Sequence, residues 1–332
     1  MTDAAQKPQR KLPLGWIIRL GVSVAVLAVI FHFVPVAKVW EAARSIPPQV
    51  WIGCLLAFLV GHAITAAKWF SLIGPGFTYR EAFRAHLAGL FANLFLPSVA
   101  GGDVVRAGLL FGKAKDKSAL AMGSFADRLL DTLGLVMIAA LGLFLVAGKV
   151  RPEFSTLILA GLVAMTLGVV GGFALAPAID RLLVKRPLPG KLGKIAGKIV
   201  PAIASLSRRP GLLVGCLVTS LVVQILFVGI NIALADAIGV KAPASAWLFG
   251  WSTSKIVALL PITVGGIGVR EGALVQLMRP FGTNDAMVLA VGFVWQSILY
   301  SAGAVGGLVQ MFWRPNGAPK APAPELLQGT VK

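Results

Sequence analysis

Two arginines occupy matching places after two interruptions in apolar sequence. Residues 96–110 match residues 260–274 without a gap at eight of fifteen positions, and the alignment pairs Arg106 with Arg270. Because composition alone predicts about one or two matches, the chain contains an internal repeat. A planar guanidinium reaches two phosphate oxygens at once, so these arginines are candidates for holding a phosphate group.

Each interruption combines a proline with a glycine pair. Pro97 and Pro261 cannot continue a helix, and the paired glycines that follow permit a turn into a new helix, which we expect to begin near Asp103 in the first copy. These glycines are Gly101, Gly102, Gly265 and Gly266. A helix N-terminus has unpaired N–H groups and a partial positive charge. The two breaks therefore predict an anion site shared by two half-helices.

Further charges lie within apolar segments. Asp127, Arg128 and Asp131 follow the first break, with the two carboxylates four residues apart and so on one helix face. Lys255 precedes the second break and could neutralise an anionic headgroup, while Lys68 is intramembrane or interfacial. Ionisable groups in a span usually face a partner or a cavity. An internal Asp–Arg pair that only locks the helix bundle is the alternative.

Structural roles compete with the proposed binding roles. Asp103 could N-cap its helix, Arg106 could snorkel to the interface, and Arg270 with Glu271 could form a surface turn. Two carboxylates at positions 127 and 131 also suggest a divalent metal, but no second acidic cluster supports that reading. We therefore predict no metal, no cofactor and no catalytic residue.

The composition is that of a polytopic membrane protein. Of the 332 residues 57% are hydrophobic, mean hydropathy is +0.84, and several apolar runs approach the length that crosses a bilayer. The predicted fold is all-α, with about six full spans and two re-entrant broken-helix hairpins near 82–111 and 245–278. The six spans are residues 16–35, 51–72, 119–147, 154–176, 211–236 and 285–311.

Charge placement predicts the orientation. With the N-terminus inside, 20 of the 31 Lys and Arg residues fall on the cytoplasmic side, 7 on the outer side and 4 within or near spans. The net charge of +18 thus reflects topology and lipid contact rather than nucleic-acid binding. The two hairpins are separated by three full crossings, so we expect them to dip from opposite faces, as inverted repeats do.

One transmembrane domain, 16–313, accounts for most of the chain. Repeat 1 covers about 51–147, repeat 2 about 215–311, and a basic cytoplasmic loop, 177–210, lies between them. A cytoplasmic tail, 1–15, and a disordered cytoplasmic tail, 314–332, complete the prediction.

We interpret the histidines, the cysteines and two spaced glycine pairs as packing residues. His32, His62 and His86 lie on different elements without metal-ligand spacing, and Cys54 and Cys216 fall inside spans. The glycine pairs 168/172 and 303/307 have the spacing that lets helices approach closely, with a homo-oligomer interface left open.

The pattern resembles a known family. The segment from Pro97 to Arg106, the Asp127-Arg128 pair and the segment from Gly265 to Glu271 are similar to the lysylphosphatidylglycerol synthase transmembrane-region family, a flippase-like family of bacteria and archaea. In its best-known members a soluble domain that transfers an aminoacyl group follows the membrane region. This chain ends soon after the last span, so the resemblance concerns the membrane domain only.

The resemblance implies a lipid translocase of the bacterial inner membrane, not an enzyme. Its expected partner is an anionic phospholipid or another phosphate-bearing lipid, with no nucleic acid. The candidate cavity residues implied are Asp103, Arg106, Asp127, Arg128, Arg270 and Glu271. Because Ile267 stands opposite Asp103, the first copy is favoured for substrate contact. A small-anion or solute carrier or channel is the alternative, and an intramembrane lipid-modifying enzyme is a third reading.

Overall fold

The structure is a computed structural model, and it describes residues 24, 28–32, 34–96, 101–146, 148–185, 189–260, 263 and 266–313. The helices are α1 Val36–Arg44, α2 Pro48–Leu72, α3 Tyr79–Ala92, α4 Gly101–Phe111, α5 Lys117–Leu145, α6 Pro152–Lys185, α7 Gly190–Ser207, α8 Pro210–Ile238, α9 Ala244–Val257, α10 Val269–Met278 and α11 Asp285–Phe312. Residues 28–32 are also helical, and the described residues contain no strand. The all-α prediction is confirmed.

Among the described residues, five helices are long and apolar enough to cross a membrane: α2, α5, α6, α8 and α11. They coincide with five of the six predicted spans. The predicted span 16–35 lies mostly outside the described residues, as do the tails 1–15 and 314–332. Local signals explain several helix ends: α2 and α8 begin with proline at the first turn, and the Asp116 and Asn284 side chains accept hydrogen bonds from the first N–H groups of α5 and α11.

Hairpin 1, formed by α3 and α4, turns back on itself. The Gly102 N–H donates to Asn93 Oδ1 at 2.7 Å near the tip, and Lys113 pairs with Glu81 at 2.9 Å at the open end. The two helices therefore run antiparallel. With 14 and 11 residues they are about 21 and 16 Å long, less than the roughly 30 Å of a bilayer core, so the hairpin enters and leaves on one side.

Hairpin 2, formed by α9 and α10, has the same design. Gly266 abuts Ala258 near the tip, and Gly250 abuts Met278 at the open end, so these helices are antiparallel too. Gly266 and Gly268 have φ of 76° and 85°, a left-handed backbone that favours glycine. Pro97, Pro261 and Gly265 lie outside the described residues.

The two repeats are inverted. The helices α2 and α8 occupy corresponding places in the two copies, yet Gly61 lies beside Phe227 while Ser71 lies beside Cys216. Residue numbers rise along one helix as they fall along the other, so α2 and α8 are antiparallel. The two hairpins consequently enter from opposite ends of the bundle, as predicted.

Each hairpin packs on the last span of the other repeat. The backbone of Gly306 in α11 approaches Leu87 of α3, and that of Gly142 in α5 approaches Phe249 of α9. These two glycines are 164 residues apart, the offset of the repeat. The predicted packing role of Gly303 and Gly307 is confirmed, since both adjoin α3, whereas Gly168 and Gly172 have open space around them.

The close approach at Gly142 predicts a stability loss. A Cβ there would lie 2.3 Å from the Phe249 backbone nitrogen, so Gly142→Ala must push α9 away from α5. We expect a loss of about 1–3 kcal/mol in the free energy of unfolding. Thermal unfolding in detergent measures it. Gly161→Ala, where the Cβ meets nothing within 4 Å, is the matched control, and an equal effect of both substitutions would contradict this packing.

The segment predicted as a basic loop, 177–210, is mostly helical, which corrects that expectation. The helix α6 continues to Lys185, and α7 follows. Leu130 lies near Cys216 and Gly134 near Ser220, so α5 and α8 run parallel. The chain must therefore return through α6 to the end of the bundle where α8 begins, and α7 lies at that end.

Candidate functional site

A buried carboxylate lies at the centre of the first polar cluster. Asp127 of α5 is 0% exposed, and it forms ion pairs with Lys68 of α2 at 2.9 Å and with Arg106 of α4 at 2.6 Å. Arg106 itself is 3% exposed. The alternative that Arg106 snorkels to the interface is therefore wrong, and the two ion pairs of Asp127 connect hairpin 1 to two spans.

Lys68 joins both carboxylates of α5. Its Nζ lies 2.5 Å from Asp131 and donates to Ser220 Oγ of α8 at 2.9 Å, and Ser220 in turn donates to Asp131 at 2.8 Å. This confirms that Asp127 and Asp131 share one face of α5. The Lys68 ammonium occupies the space between them, so a divalent ion would have to displace it. Among the residues that the structure describes, no group of three or more His, Cys, Asp or Glu side chains has metal-binding geometry.

Asp103 completes the cluster. It pairs with Arg106 at 3.0 Å and with Arg128 at 2.7 Å, a role different from the N-cap considered as the alternative. The described part of the new helix starts at Gly101, two residues before Asp103 and thus close to the predicted start. Three cations and three carboxylates balance here: Lys68, Arg106 and Arg128 against Asp103, Asp127 and Asp131. The first break thus carries no uncompensated positive charge for a phosphate.

Two histidines extend the cluster toward α2 and α3. Arg106 Nη1 lies 3.1 Å from His86 Nδ1, and His86 Nε2 lies 2.9 Å from His62 Nδ1. The Arg106 guanidinium also lies over the Trp69 ring, 4.6 Å from its centroid. The sequence analysis interpreted these histidines as separate packing residues and did not predict their contact with each other or with Arg106.

The second break holds a smaller polar group. Arg270 pairs with Glu271 and donates to Gln296 Oε1 of α11 at 2.8 Å, while the Gly268 N–H donates to Glu271 at 2.7 Å. Arg270 is 8% and Glu271 1% exposed, so the predicted alternative of a surface turn is wrong. The arginines of the two copies do correspond, but each is already bound by a carboxylate.

Lys255 of α9 differs from Lys68, Arg106 and Arg270, each of which pairs with a carboxylate. Its Nζ donates to Gln224 Oε1 of α8 at 3.0 Å and lies 5.3 Å from the centroid of the Phe227 ring. Among the described residues, no carboxylate lies within ion-pair distance of it. With Arg270 balanced by Glu271, the second group has one net positive charge.

The two polar groups are neighbours along α8. Ser220 contacts Lys68 of the first group, and Gln224, one helical turn further, contacts Lys255 of the second. Lys255 also interacts electrostatically with Asp131 and Arg270. The structure thus brings most of the predicted site residues into one polar interior. Lys68, Asp131, His62, His86 and Gln224 were not among the predicted site residues.

An apolar cavity of about 380 Å³ lies between α5, α6 and α7. Phe125, Leu129, Gly168 and Gly172 are part of its lining. Phe125 and Leu129 each precede an aspartate of α5 by two positions, so the cavity lies on the side of α5 opposite the charges. Its volume falls in the range of ligand pockets, which are mostly apolar.

Met165 of α6 lines the cavity, and it belongs with Ile256, the residue after Lys255, to one apolar cluster.

Apolar spans, two inverted broken-helix hairpins and a polar interior define a polytopic α-helical membrane protein. The chain belongs to the lysylphosphatidylglycerol synthase TM region family, whose model matches residues 16–307. This match covers the membrane region and confirms the resemblance drawn from the motifs.

Two archaeal membrane proteins are similar to it. A UPF0104 membrane protein of Archaeoglobus fulgidus is 25% identical over 324 residues, which cover 89% of this chain and 95% of that protein. A UPF0104 membrane protein of Methanothermobacter thermautotrophicus is 26% identical over 246 residues, covering 66% and 70% respectively.

Proposed function

We propose that this protein moves a phosphate-bearing lipid between the leaflets of the plasma membrane, and that Lys255 makes the first contact with the headgroup. The observation that carries the proposal is the uncompensated charge of Lys255. An ionisable group inside a membrane is costly and usually marks a functional pathway. An anionic headgroup would supply the counter-charge that the described residues do not.

The sequence favoured the first repeat for contact with the headgroup, but the charge balance favours the second repeat. Arg106 is neutralised by two aspartates, and Arg270 is neutralised by Glu271. An additional phosphate at either arginine would have to compete with a carboxylate of the protein. At Lys255 it would compete only with the neutral amide of Gln224.

The cavity favours a lipid over a small anion. A lipid has an acyl or prenyl chain that would occupy the apolar space between α5, α6 and α7, while a small anion has no use for it. The same cation could nevertheless serve a small-anion carrier, which is the competing function. In either case the orientation with both termini in the cytoplasm follows from the distribution of Lys and Arg.

Retained lipid and anion flux distinguish these two functions. We expect the purified full chain to retain anionic phospholipid, detected by mass spectrometry. We also expect vesicles that contain the protein to leak inorganic phosphate no faster than protein-free vesicles. Rapid phosphate efflux without retained anionic lipid would overturn the lipid proposal in favour of the carrier.

Filling the cavity should slow lipid movement. Gly168 lines the cavity and has open space around it, so Gly168→Leu projects a side chain into the cavity without a backbone clash. We expect the rate of leaflet exchange of an anionic lipid to fall by about tenfold, the effect of a misfit in an apolar pocket. Gly171→Leu is the control, because Gly171 is outside the lining but has equal space. Equal rates in both variants would mean that the cavity does not hold the lipid chain.

A further inference from the structure

Hydrogen-bond chemistry determines where the protons lie in the chain from Arg106 to His62. A guanidinium only donates, so His86 Nδ1, 3.1 Å from Arg106, must accept. The neutral His86 ring then carries its proton on Nε2 and donates it to His62 Nδ1 at 2.9 Å. His62 in turn carries its proton on Nε2. One tautomer of each ring satisfies the geometry.

This arrangement cannot accept another proton and stay intact. A proton added at His86 Nδ1 would face the N–H of Arg106. A proton added at His62 Nδ1 would face the N–H of His86 Nε2. Either addition replaces a hydrogen bond by two opposed donors, so one of the two contacts must separate.

The surroundings also oppose a new positive charge. His86 is 6% exposed, and the pair is packed against an aromatic ring, Phe227, whose centroid lies 5.5 Å from that of His62. The charged groups that face the pair are Lys68 of α2, Arg106 of α4, Asp127 and Asp131 of α5 and Lys255 of α9. The one charged residue of α11 in the described range is Asp285, which pairs with Arg279 at the far end. Burial of His86 and the nearby cations Lys68, Arg106 and Lys255 therefore oppose an imidazolium while hairpin 1 stays closed.

We infer that the His62–His86 pair is a proton-binding site whose occupation opens hairpin 1. The incoming proton comes from water and binds an imidazole nitrogen, and Arg106 keeps all its protons. Because the closed arrangement holds no extra proton, proton binding is linked to separation of α4 from α3 or of α3 from α2. This device would make the position of hairpin 1, and hence transport, respond to pH.

Tautomers provide the first test. The chain has three histidines, so histidine-selective ¹⁵N labelling of the full protein in lipid nanodiscs gives an NMR spectrum simple enough to assign with His32→Gln and His86→Gln. At pH 8 we expect both His62 and His86 to carry their proton on Nε2. A proton on Nδ1 of His86 would overturn the inference.

Hydrogen exchange provides the second test. Between pH 8 and pH 5, exchange of the α4 amides, corrected for the intrinsic pH dependence, should accelerate by up to about tenfold per pH unit, the limit for one proton. The hydrogen bond from Lys113 lowers the pKa of Glu81, so that carboxylate at the hairpin's open end stays ionised in this range.

Neutral replacements of both histidines isolate the site. The double variant His62→Gln, His86→Gln has no imidazole of the pair to take up a proton, so the acid response should disappear, while His32→Gln should retain it. Exchange independent of pH in the unmodified protein, or an equal response in the double variant, would overturn the inference. Neither readout uses a transported lipid, so this inference and the proposed function can fail separately.

Discussion

Asp127→Asn is expected to lower the free energy of unfolding by about 3–5 kcal/mol, the range for removing one partner of a buried ion pair. Asp127 is fully buried and balances Lys68 and Arg106, which are 4% and 3% exposed. The substitution keeps the shape of the side chain but leaves two buried cations short of a counter-charge. Thermal or denaturant unfolding in detergent measures the loss.

Charge balance, rather than the contact itself, is what this prediction tests. Lys68→Met combined with Asp127→Asn removes one charge of each sign and should be more stable than the sum of the single effects by about 0.5–3 kcal/mol. Asp285→Asn, which breaks the more exposed pair with Arg279, should cost no more than about 1 kcal/mol. Strictly additive effects of the two buried substitutions would contradict the balanced cluster.

Lys255→Met is expected to reduce leaflet exchange of an anionic lipid by about tenfold or more, the effect of losing one charged hydrogen bond. The same substitution should leave the free energy of unfolding unchanged or raise it, because it removes an intramembrane cation without a carboxylate partner. Loss of transport together with retained stability identifies a contact with substrate, since a structural lysine would lose both.

Lys241→Met is the matched control for Lys255→Met. Lys241 is an exposed lysine just before α9, so its removal changes net charge equally without entering the bundle. We expect lipid exchange close to that of the unmodified protein. If Lys255→Met also exchanges lipid at the unmodified rate, the headgroup does not bind at Lys255.

The repeat and its breaks could be predicted because they are local signals. Eight shared positions revealed the duplication, and proline with paired glycines predicted the end of one helix and the start of the next. The positions of Arg106 and Arg270 after each break followed from the same alignment. Charge asymmetry supplied the inverted order, which the antiparallel packing of α2 and α8 bears out.

The partners of the charged residues could not be predicted, because they depend on helix register across the bundle. Lys68 and Asp131 are 63 residues apart in the sequence but form an ion pair, and His62 contacts His86 only because α3 folds back against α2. No sequence spacing encodes these contacts. From the sequence we expected the phosphate to bind at the first copy. The sequence did not reveal that Asp103 and Asp127 both pair with Arg106.

The most direct test of the proposed function follows a labelled lipid across the bilayer. The full chain is reconstituted into vesicles containing fluorescent phosphatidylglycerol or a labelled polyprenyl phosphate, and quenching of the outer leaflet is recorded over time. We predict faster leaflet exchange than in protein-free vesicles for at least one of these anionic lipids, and slower exchange with Lys255→Met. Exchange no faster than in protein-free vesicles for every anionic lipid tested would contradict lipid translocation by this protein.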